Sequence, residues 1–473
     1  MSDSYAEHMI VAASDRSHLH TAYGYCTEAD RYALARCARR FLTAGAALAI
    51  ADEIYWGWRG EFPNFLVTIA LVLGLGGLAL ADLVERRADR ALSDQVLTGS
   101  LTERWSTFAV LVAFFTLYAV SMFPPTPFNE QVRQAVAFIH GHTYIDAPNS
   151  FLEHAQVGAY SYALHPPLPA ILLMPFTAIW GMDTNQTEFS VLVGAIDVVL
   201  AWILLGRLKV SLNPRVWLTF FFAMGNVLWY ETVVGTTWAL PMNTALIFQL
   251  ASLIELFGEA RPVRLGIFAG LASLGRYDLA LAAPIYALLA WKKGRTFTEL
   301  LGMIPGFLAV GVIFVGLNEA RYGSFFDQGV MITGPKGAPV FAFQYLPGNL
   351  YTLFFMAPTV DGRFPYIHPV FAGQALTTTS PAFVLALRPS FRRLTISTMF
   401  VASVLVSIPS LLCYANGFAQ FGTRHYIPAF PFLLVMMALG MRDRTDQLAR
   451  ILITASIIII GCGVWQIRMW GLS

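Results

Sequence analysis

Apolar stretches long enough to cross a lipid bilayer recur along this chain, separated by short polar segments. A transmembrane helix needs about 20 apolar residues. That criterion predicts spans near residues 41–59, 63–82, 106–123, 190–208, 214–232, 237–256, 298–318, 372–388, 394–414, 426–442 and 449–468. Two shorter stretches, 263–276 and 278–292, are predicted to form a further pair that turns at Arg276, Tyr277 and Asp278. The pattern indicates an all-α polytopic membrane protein with about 13 transmembrane helices.

Two long segments interrupt this pattern, at residues 123–189 and 319–371. Both greatly exceed the two to eight residues that usually connect helices in a bundle, and loops of this length are often functional. They are rich in proline and aromatic residues, as in SYALHPPLPAILLMPFTAIWG. The 14-residue apolar run from Leu168 to Gly181 is too short to cross the bilayer and predicts a helix in the membrane interface. We therefore expect two large loops that contain juxtamembrane helices.

These features divide the chain into four predicted regions. Residues 1–40 form a polar N-terminal segment, and 41–105 form an additional transmembrane hairpin with its following loop. Residues 106–371 form the main transmembrane module with both large loops, and 372–473 supply the C-terminal transmembrane helices.

The distribution of basic residues predicts the orientation. Seven short segments, each separated from the next by one predicted span or a pair of spans, hold 23 of the 31 Lys and Arg residues, and short basic loops stay cytoplasmic. The N-terminus is thus predicted inside and the two large loops outside the plasma membrane. With 56% hydrophobic and 13% charged residues and a mean hydropathy of +0.58, the chain has membrane lipids as its main surroundings. A net charge of +2, without a basic and aromatic groove, argues against a nucleic-acid partner.

The first large loop carries the candidate catalytic carboxylates. Glu130 is predicted to begin a short amphipathic helix beside the membrane surface, where a partly desolvated carboxylate could accept a proton from a hydroxyl group. The structural alternative is an acidic residue favoured by the dipole at a helix N-terminus. Asp146 and Glu153 lie in the same loop and are alternative candidates for the base.

Basic residues from four separate regions are candidates for phosphate binding. The predicted topology brings Arg276, Arg321, Arg363 and Arg424 to the outer membrane boundary, with His425 beside the last of them. Guanidinium groups bind phosphate oxygens in pairs. The structural alternatives are that Arg276 pairs with Asp278 and that the others reach towards water.

The chain shows no signature of a bound cofactor. The four cysteines are scattered without disulfide or zinc-site spacing, so no metal site is predicted. Whether a divalent metal ion assists catalysis is left open, because no carboxylate cluster requires one.

Four segments of the chain resemble the GT-C superfamily of membrane glycosyltransferases, which includes the protein mannosyltransferase and aminoarabinose transferase groups. They are FNEQVRQAVAFIHGHTYID, HPPLPAILLMPFTAIWG, NEARYGSFFDQG and FAQFGTRHYIPAFPFLL, and the resemblance covers roughly residues 106 to 442. It implies a GT-C-like fold for the main module and inverting transfer of a sugar from a polyprenyl-phosphate-linked donor to a lipid, glycan or protein acceptor.

Residue by residue, the resemblance implies Glu130 as catalytic base and Arg321, Arg424 and His425 near the donor phosphate. Many members carry Asp in the first loop where this chain has Asn129-Glu130, so the identity of the base stays open. The competing functions are a transporter or flippase of a polyprenyl-linked or other anionic lipid, an O-antigen ligase or polymerase, and a noncatalytic membrane subunit. The sequence does not identify the sugar.

Overall fold

The computed structural model describes residues 28–58, 65–90, 95–146, 153–326, 329–364, 366–370, 372–415, 417 and 420–470. The chain is 73% helical with a few short strands, which confirms the prediction of an all-α membrane protein. Most of the predicted N-terminal segment 1–40 lies outside the described residues. The chain divides into two compact units, Met1–Val120 and Ser121–Ser473.

The first unit is built from long helices. Glu28–Trp58 packs against Phe65–Arg90, and a third helix, Gln95–Ser121, ends at the unit boundary. Thr68 Oγ1 donates a hydrogen bond of 2.8 Å to the Glu53 carboxylate. This bond gives a polar partner to an acidic residue inside the predicted span 41–59.

The second unit combines long helices with many short ones. Its α-helices are Glu130–Ile139, Leu168–Trp180, Gln186–Arg207, Leu212–Met224, Leu228–Val234, Leu240–Phe257, Pro262–Gly275, Ala283–Lys292, Phe297–Leu300, Ile304–Tyr322, Gly329–Thr333, Leu346–Phe354, Leu376–Thr379, Leu394–Leu412, Phe430–Gly440 and Gln447–Trp470. Its 3₁₀ turns are Gly181–Asp183, Tyr277–Ala282, Leu301–Met303, Phe343–Tyr345, Pro381–Leu387 and Arg424–Ala429.

Six helices among the described residues are long and apolar enough to cross a membrane. They are Leu101–Ser121, Gln186–Arg207, Leu240–Phe257, Phe297–Tyr322, Leu394–Leu412 and Gln447–Met469. Several other predicted spans are short or broken. The stretch 214–232 is interrupted at Asn226, whose side-chain amide donates to the carbonyl oxygens of Phe221 and Phe222 and accepts from the Leu228 N–H. The stretch 372–388 contains only a four-residue helix and a 3₁₀ turn.

Close backbone contact joins two helices of the second unit. Pro262–Gly275 packs against Ile304–Tyr322, and Gly266, Gly270 and Gly306 line the contact. A Cβ atom added at Gly270 would lie 2.7 Å from the Gly306 carbonyl oxygen. Only a hydrogen atom fits at these positions, so the glycines set the distance between the two helices.

The first large loop folds into ordered elements. Helix Glu130–Ile139 packs on helix Leu168–Trp180, and a two-stranded antiparallel hairpin lies between them in the chain, with His154 opposite Ala163 and Val157 opposite Tyr160. The predicted helix at 168–181 is confirmed as a helix, with proline in its first turn, where a missing N–H does no harm. The second large loop holds helix Leu346–Phe354 and a short hairpin that pairs Thr359–Val360 with Ile367–His368.

Candidate functional site

Glu130 is a buried carboxylate at the first position of helix Glu130–Ile139, as predicted. Its Oε1 accepts a hydrogen bond of 2.6 Å from the backbone N–H of Glu153, whereas its Oε2 is buried and has no hydrogen-bond partner in the described part of the chain. Burial raises the pKa of the Glu130 carboxyl, although the backbone hydrogen bonds and the nearby His165 partly oppose that shift. The side chain therefore offers one free oxygen with enhanced affinity for a proton.

Glu153 lies beside Glu130 but differs from it in its partner. Its Oε2 is 2.9 Å from His165 Nε2. Burial raises the pKa of the Glu153 carboxyl, but the His165 hydrogen bond and the charges of His165 and Arg424 outweigh burial and lower that pKa overall. Two neighbouring carboxylates with oppositely shifted pKa values are suited to different roles, an ionised charge at Glu153 and a proton acceptor at Glu130.

Asp146 is not brought into this group. Its side chain is exposed, and its backbone carbonyl accepts a hydrogen bond of 3.0 Å from Arg133 Nη1. The role of Asp146 as an alternative base remains a prediction that its position does not favour.

Arg424 connects the late part of the chain with the first loop. Its guanidinium is buried and lies 5.3 Å above the ring centre of Trp238. The Trp238 ring in turn packs at 4.8 Å on Phe128, which precedes Glu130 by two residues. His425 follows Arg424, with its Nε2 buried and without a partner among the residues described. The Trp238 ring thus contacts both Arg424 and Phe128, a residue close to Glu130 in the chain.

Arg276 has the partner that the structural alternative predicted. Its Nε donates to Asp278 Oδ1 at 3.3 Å, and its Nη2 pairs with the other carboxylate oxygen of Asp278. The charge of Arg276 nevertheless acts on Arg424 and on His425. Arg276 therefore contributes positive potential near Arg424 and His425, while its Nε and Nη2 are already bonded to Asp278.

Arg321 is buried near the end of the first-loop hairpin. Its Nη1 lies 3.5 Å from the Ala163 carbonyl oxygen, the long limit for a hydrogen bond. Its Nε and Nη2, together with the side-chain nitrogen of Asn318 one turn earlier, are buried without partners in the described chain. These residues are on the helical segment Phe297–Tyr322, in which an apolar stretch of 18 residues is only 6% buried. The buried donors on this otherwise exposed segment are suited to an anion.

Arg363 lies in the second large loop. Its side chain is exposed in the hairpin of the second loop, and its backbone N–H donates to Asp361. Asp361 also pairs with His368 at 3.2 Å. A phosphate contact by Arg363 remains a prediction.

Sequence reasoning missed two residues of the group. Glu231 is fully buried, both of its carboxylate oxygens have no hydrogen-bond partner among the described residues, and its charge acts on Arg424. The sequence feature that could have revealed Glu231 is its position as an acidic residue in the apolar predicted span 214–232, because an ionisable group inside a membrane segment suggests function. The second missed residue is His165, and no feature of the sequence distinguished it beyond its place in the first loop.

Within the described residues there is no cluster of three or more His, Cys, Asp or Glu side chains that could hold a metal ion. Comparison with known proteins finds no matching family model, no matching curated protein and no matching solved structure.

Proposed function

We propose that this chain is a GT-C-type membrane glycosyltransferase that moves a sugar from a polyprenyl-phosphate donor to an acceptor outside the plasma membrane, with inversion at the anomeric carbon. The observation that carries the proposal is Glu130, a buried carboxylate of raised pKa with one free oxygen beside an ionised neighbour. Buried arginines in the same unit supply the complementary charge.

Glu130 acts as the general base in this proposal. The acceptor hydroxyl forms a bond to the anomeric carbon as Glu130 Oε2 takes its proton, and the bond from that carbon to the phosphate oxygen breaks on the opposite face of the sugar. The leaving phosphate keeps the electron pair. Because Glu130 Oε1 is held by the Glu153 N–H, the carboxylate is oriented before the substrate binds.

The leaving phosphate is stabilised by positive charge. Arg321 offers two unpartnered N–H groups, and Arg424 adds a second buried guanidinium. Donors fixed in place before the reaction stabilise developing negative charge without reorganising during it. Arg276 acts through its charge, while His425 and Arg363 complete the proposed phosphate set.

The proposal also covers the number of membrane crossings and the side of the membrane on which each loop lies. About 13 helices cross the membrane, the short and broken helices supply the crossings beyond the six long ones, and the N-terminus lies in the cytoplasm. Both large loops then face outwards, where the lipid-linked donor presents its headgroup.

The test is turnover by the purified protein in lipid with a panel of polyprenyl-phosphate sugars. Glu130→Gln keeps an acceptor for the Glu153 N–H but cannot take a proton, so we expect kcat to fall by about 10²- to 10⁴-fold. Asp146→Asn is the matched control, since it makes the same change at an exposed carboxylate, and it should keep its turnover. Transfer that survives Glu130→Gln unchanged would reject the base, and transfer lost in Asp146→Asn would move the base to that residue.

One observation favours a second function, transport of the lipid-linked substrate. Asp197 lies in the middle of the apolar helix Gln186–Arg207, is fully buried and has neither carboxylate oxygen partnered within the described chain. Ionisable groups inside membrane helices often mark transport or proton pathways. A flippase would move the donor across vesicle membranes without sugar transfer, and this movement would be lost in Asp197→Asn while Glu130→Gln retained it.

A further inference from the structure

We infer that Gln131 and Gln134 form a binding subsite for the hydroxyl groups of the sugar that is transferred. This inference rests on the proposed function and extends it, since it assigns the part of the site that distinguishes a sugar-bearing lipid phosphate from a bare one. Neither side chain carries any exposed surface. The oxygen and nitrogen of both amides lack hydrogen-bond partners in the described chain.

The two amides adjoin Glu130 on the helix surface. At about 100° per residue, Gln134 lies about 40° from Glu130 around the axis of helix Glu130–Ile139, and Gln131 about 100° from it. The three buried polar side chains therefore form one continuous sector. Val132 and Ala135 lie beyond this sector and pack in an apolar cluster with Leu173. Phe138, one turn beyond Gln134 in this sector, packs against the same cluster, so the polar side chains occupy only the first turns of the helix.

The chemistry of the amides selects the ligand class. Each amide needs an acceptor for its NH₂ group and a donor for its oxygen. A phosphate supplies only acceptors and an acyl chain supplies neither, whereas each hydroxyl of a sugar both donates and accepts. Residues at positions i and i+4 of a helix are about 5–6 Å apart at Cβ, so a sugar whose anomeric carbon lies at Glu130 would have its hydroxyls within reach of Gln134.

Buried amides without partners destabilise a protein that has no ligand bound. A subsite of this kind therefore makes two linked predictions of opposite sign. Replacing both glutamines with leucine should raise the melting temperature of the empty protein and weaken binding of the sugar. A purely structural role predicts a lower melting temperature and unchanged sugar binding.

The experiment compares two ligands, a polyprenyl-phosphate hexose and the same polyprenyl phosphate without sugar, bound to the full-length protein in lipid nanodiscs. For the Gln131→Leu/Gln134→Leu double variant we expect affinity for the hexose lipid to fall at least about tenfold, from two or more lost hydrogen bonds. Affinity for the bare phosphate should stay within about twofold, and the melting temperature of the empty protein should rise.

The matched control is Gln249→Leu, a change of the same type at an equally buried glutamine whose nitrogen is partnered, although its Oε1 lacks a partner among the described residues. Gln249 Nε2 donates to the Pro428 carbonyl oxygen at 2.7 Å, so this variant should melt earlier and keep its preference for the hexose lipid. If the double variant does not fold, Gln131→Met and Gln134→Met, made singly, give the same two readouts.

An unchanged ratio of the two affinities in the variants would overturn the subsite and leave the proposed function standing. A lower melting temperature with that same unchanged ratio would identify the amides as structural groups bonded to ordered water. A wild-type protein that binds the hexose lipid no better than the bare phosphate would overturn the subsite, and absence of sugar transfer in the same preparation would overturn the proposed function with it.

Discussion

The glycine contact between helices Pro262–Gly275 and Ile304–Tyr322 makes Gly306→Ala the most direct test of the fold. A Cβ atom at position 306 would overlap the Gly266 carbonyl group and lie 2.6 Å from the Ile267 nitrogen. Ordinary van der Waals contact begins at 3.4 Å, and the atoms that are met belong to a helix backbone, which cannot rotate away as a side chain can. The two helices would have to separate by roughly 1 Å.

Overpacking of this kind costs about 1–3 kcal/mol. Alanine also has a higher helix propensity than glycine, by up to about 1 kcal/mol, which offsets part of that loss. Gly311→Ala is the matched control on the same helix, because a Cβ atom there would meet nothing within 4 Å. The propensity gain is common to both variants, so the difference between them isolates the helix contact at about 1–3 kcal/mol.

The assay is reversible unfolding of both variants in mixed micelles by titration with SDS, supported by thermal unfolding in detergent. We expect Gly306→Ala to be less stable than the wild type and Gly311→Ala to be equal or more stable. The same helix carries Asn318 and Arg321, two residues of the candidate site, so Gly306→Ala should also weaken binding of the proposed donor. Equal stabilities for the two alanine variants would refute the close backbone contact.

Two further predictions concern the candidate site and its supporting helices. The acidic limb of the pH–rate profile should lie above the ordinary titration of a glutamate, because burial raises the pKa of Glu130 and only its ionised form accepts a proton. Glu153→Gln removes a negative charge that raises the pKa of Glu130, so it should move this limb to lower pH. His165→Gln removes a group that lowers the same pKa, so it should move the limb to higher pH. Shifts of both variants in the same direction would contradict the placement of Glu153 and His165 beside Glu130. Separately, Gly194→Ala should destabilise the protein by about 1–3 kcal/mol, because its Cβ atom would lie 2.6 Å from Thr232 Oγ1. Thr232→Ala should recover part of this loss in a double-mutant cycle of thermal unfolding, and additive effects would show that the two side chains do not meet.

The local pattern of the sequence predicted the elements that carry the site. The apolar residues that follow Glu130 recur at helical spacing, and the structure begins a helix at Glu130. The apolar run from Leu168 was too short for a span and forms a 13-residue helix. Such features depend on neighbouring residues, which is why a sequence reveals them.

The sequence predicted continuous helices where the structure has some short or broken ones, and the reason is physical. Hydropathy reports how apolar a stretch is and does not report whether its backbone hydrogen bonds continue. At Asn226 a side-chain amide takes the place of backbone partners and ends a helix inside a predicted span. The partner of a charge could be predicted only where it is close in the chain: the sequence offered Asp278 for Arg276, but it gave no indication that Arg321 lies beside a carbonyl oxygen 158 residues earlier.

By itself the amino-acid order determined that the chain is helical, apolar and interrupted by two long loops, because hydropathy and periodicity are properties of adjacent residues. Tertiary structure decided which carboxylate is buried, which has a histidine partner and which arginine keeps free donors. Glu130 and Glu153 are alike as residues of one loop, and their proton affinities differ through burial and through partners that are distant in the chain, whereas Asp146 of the same loop is exposed. Desolvation and Coulomb interactions act through space, so only the folded chain could distinguish Glu130, the proposed base, from its neighbours.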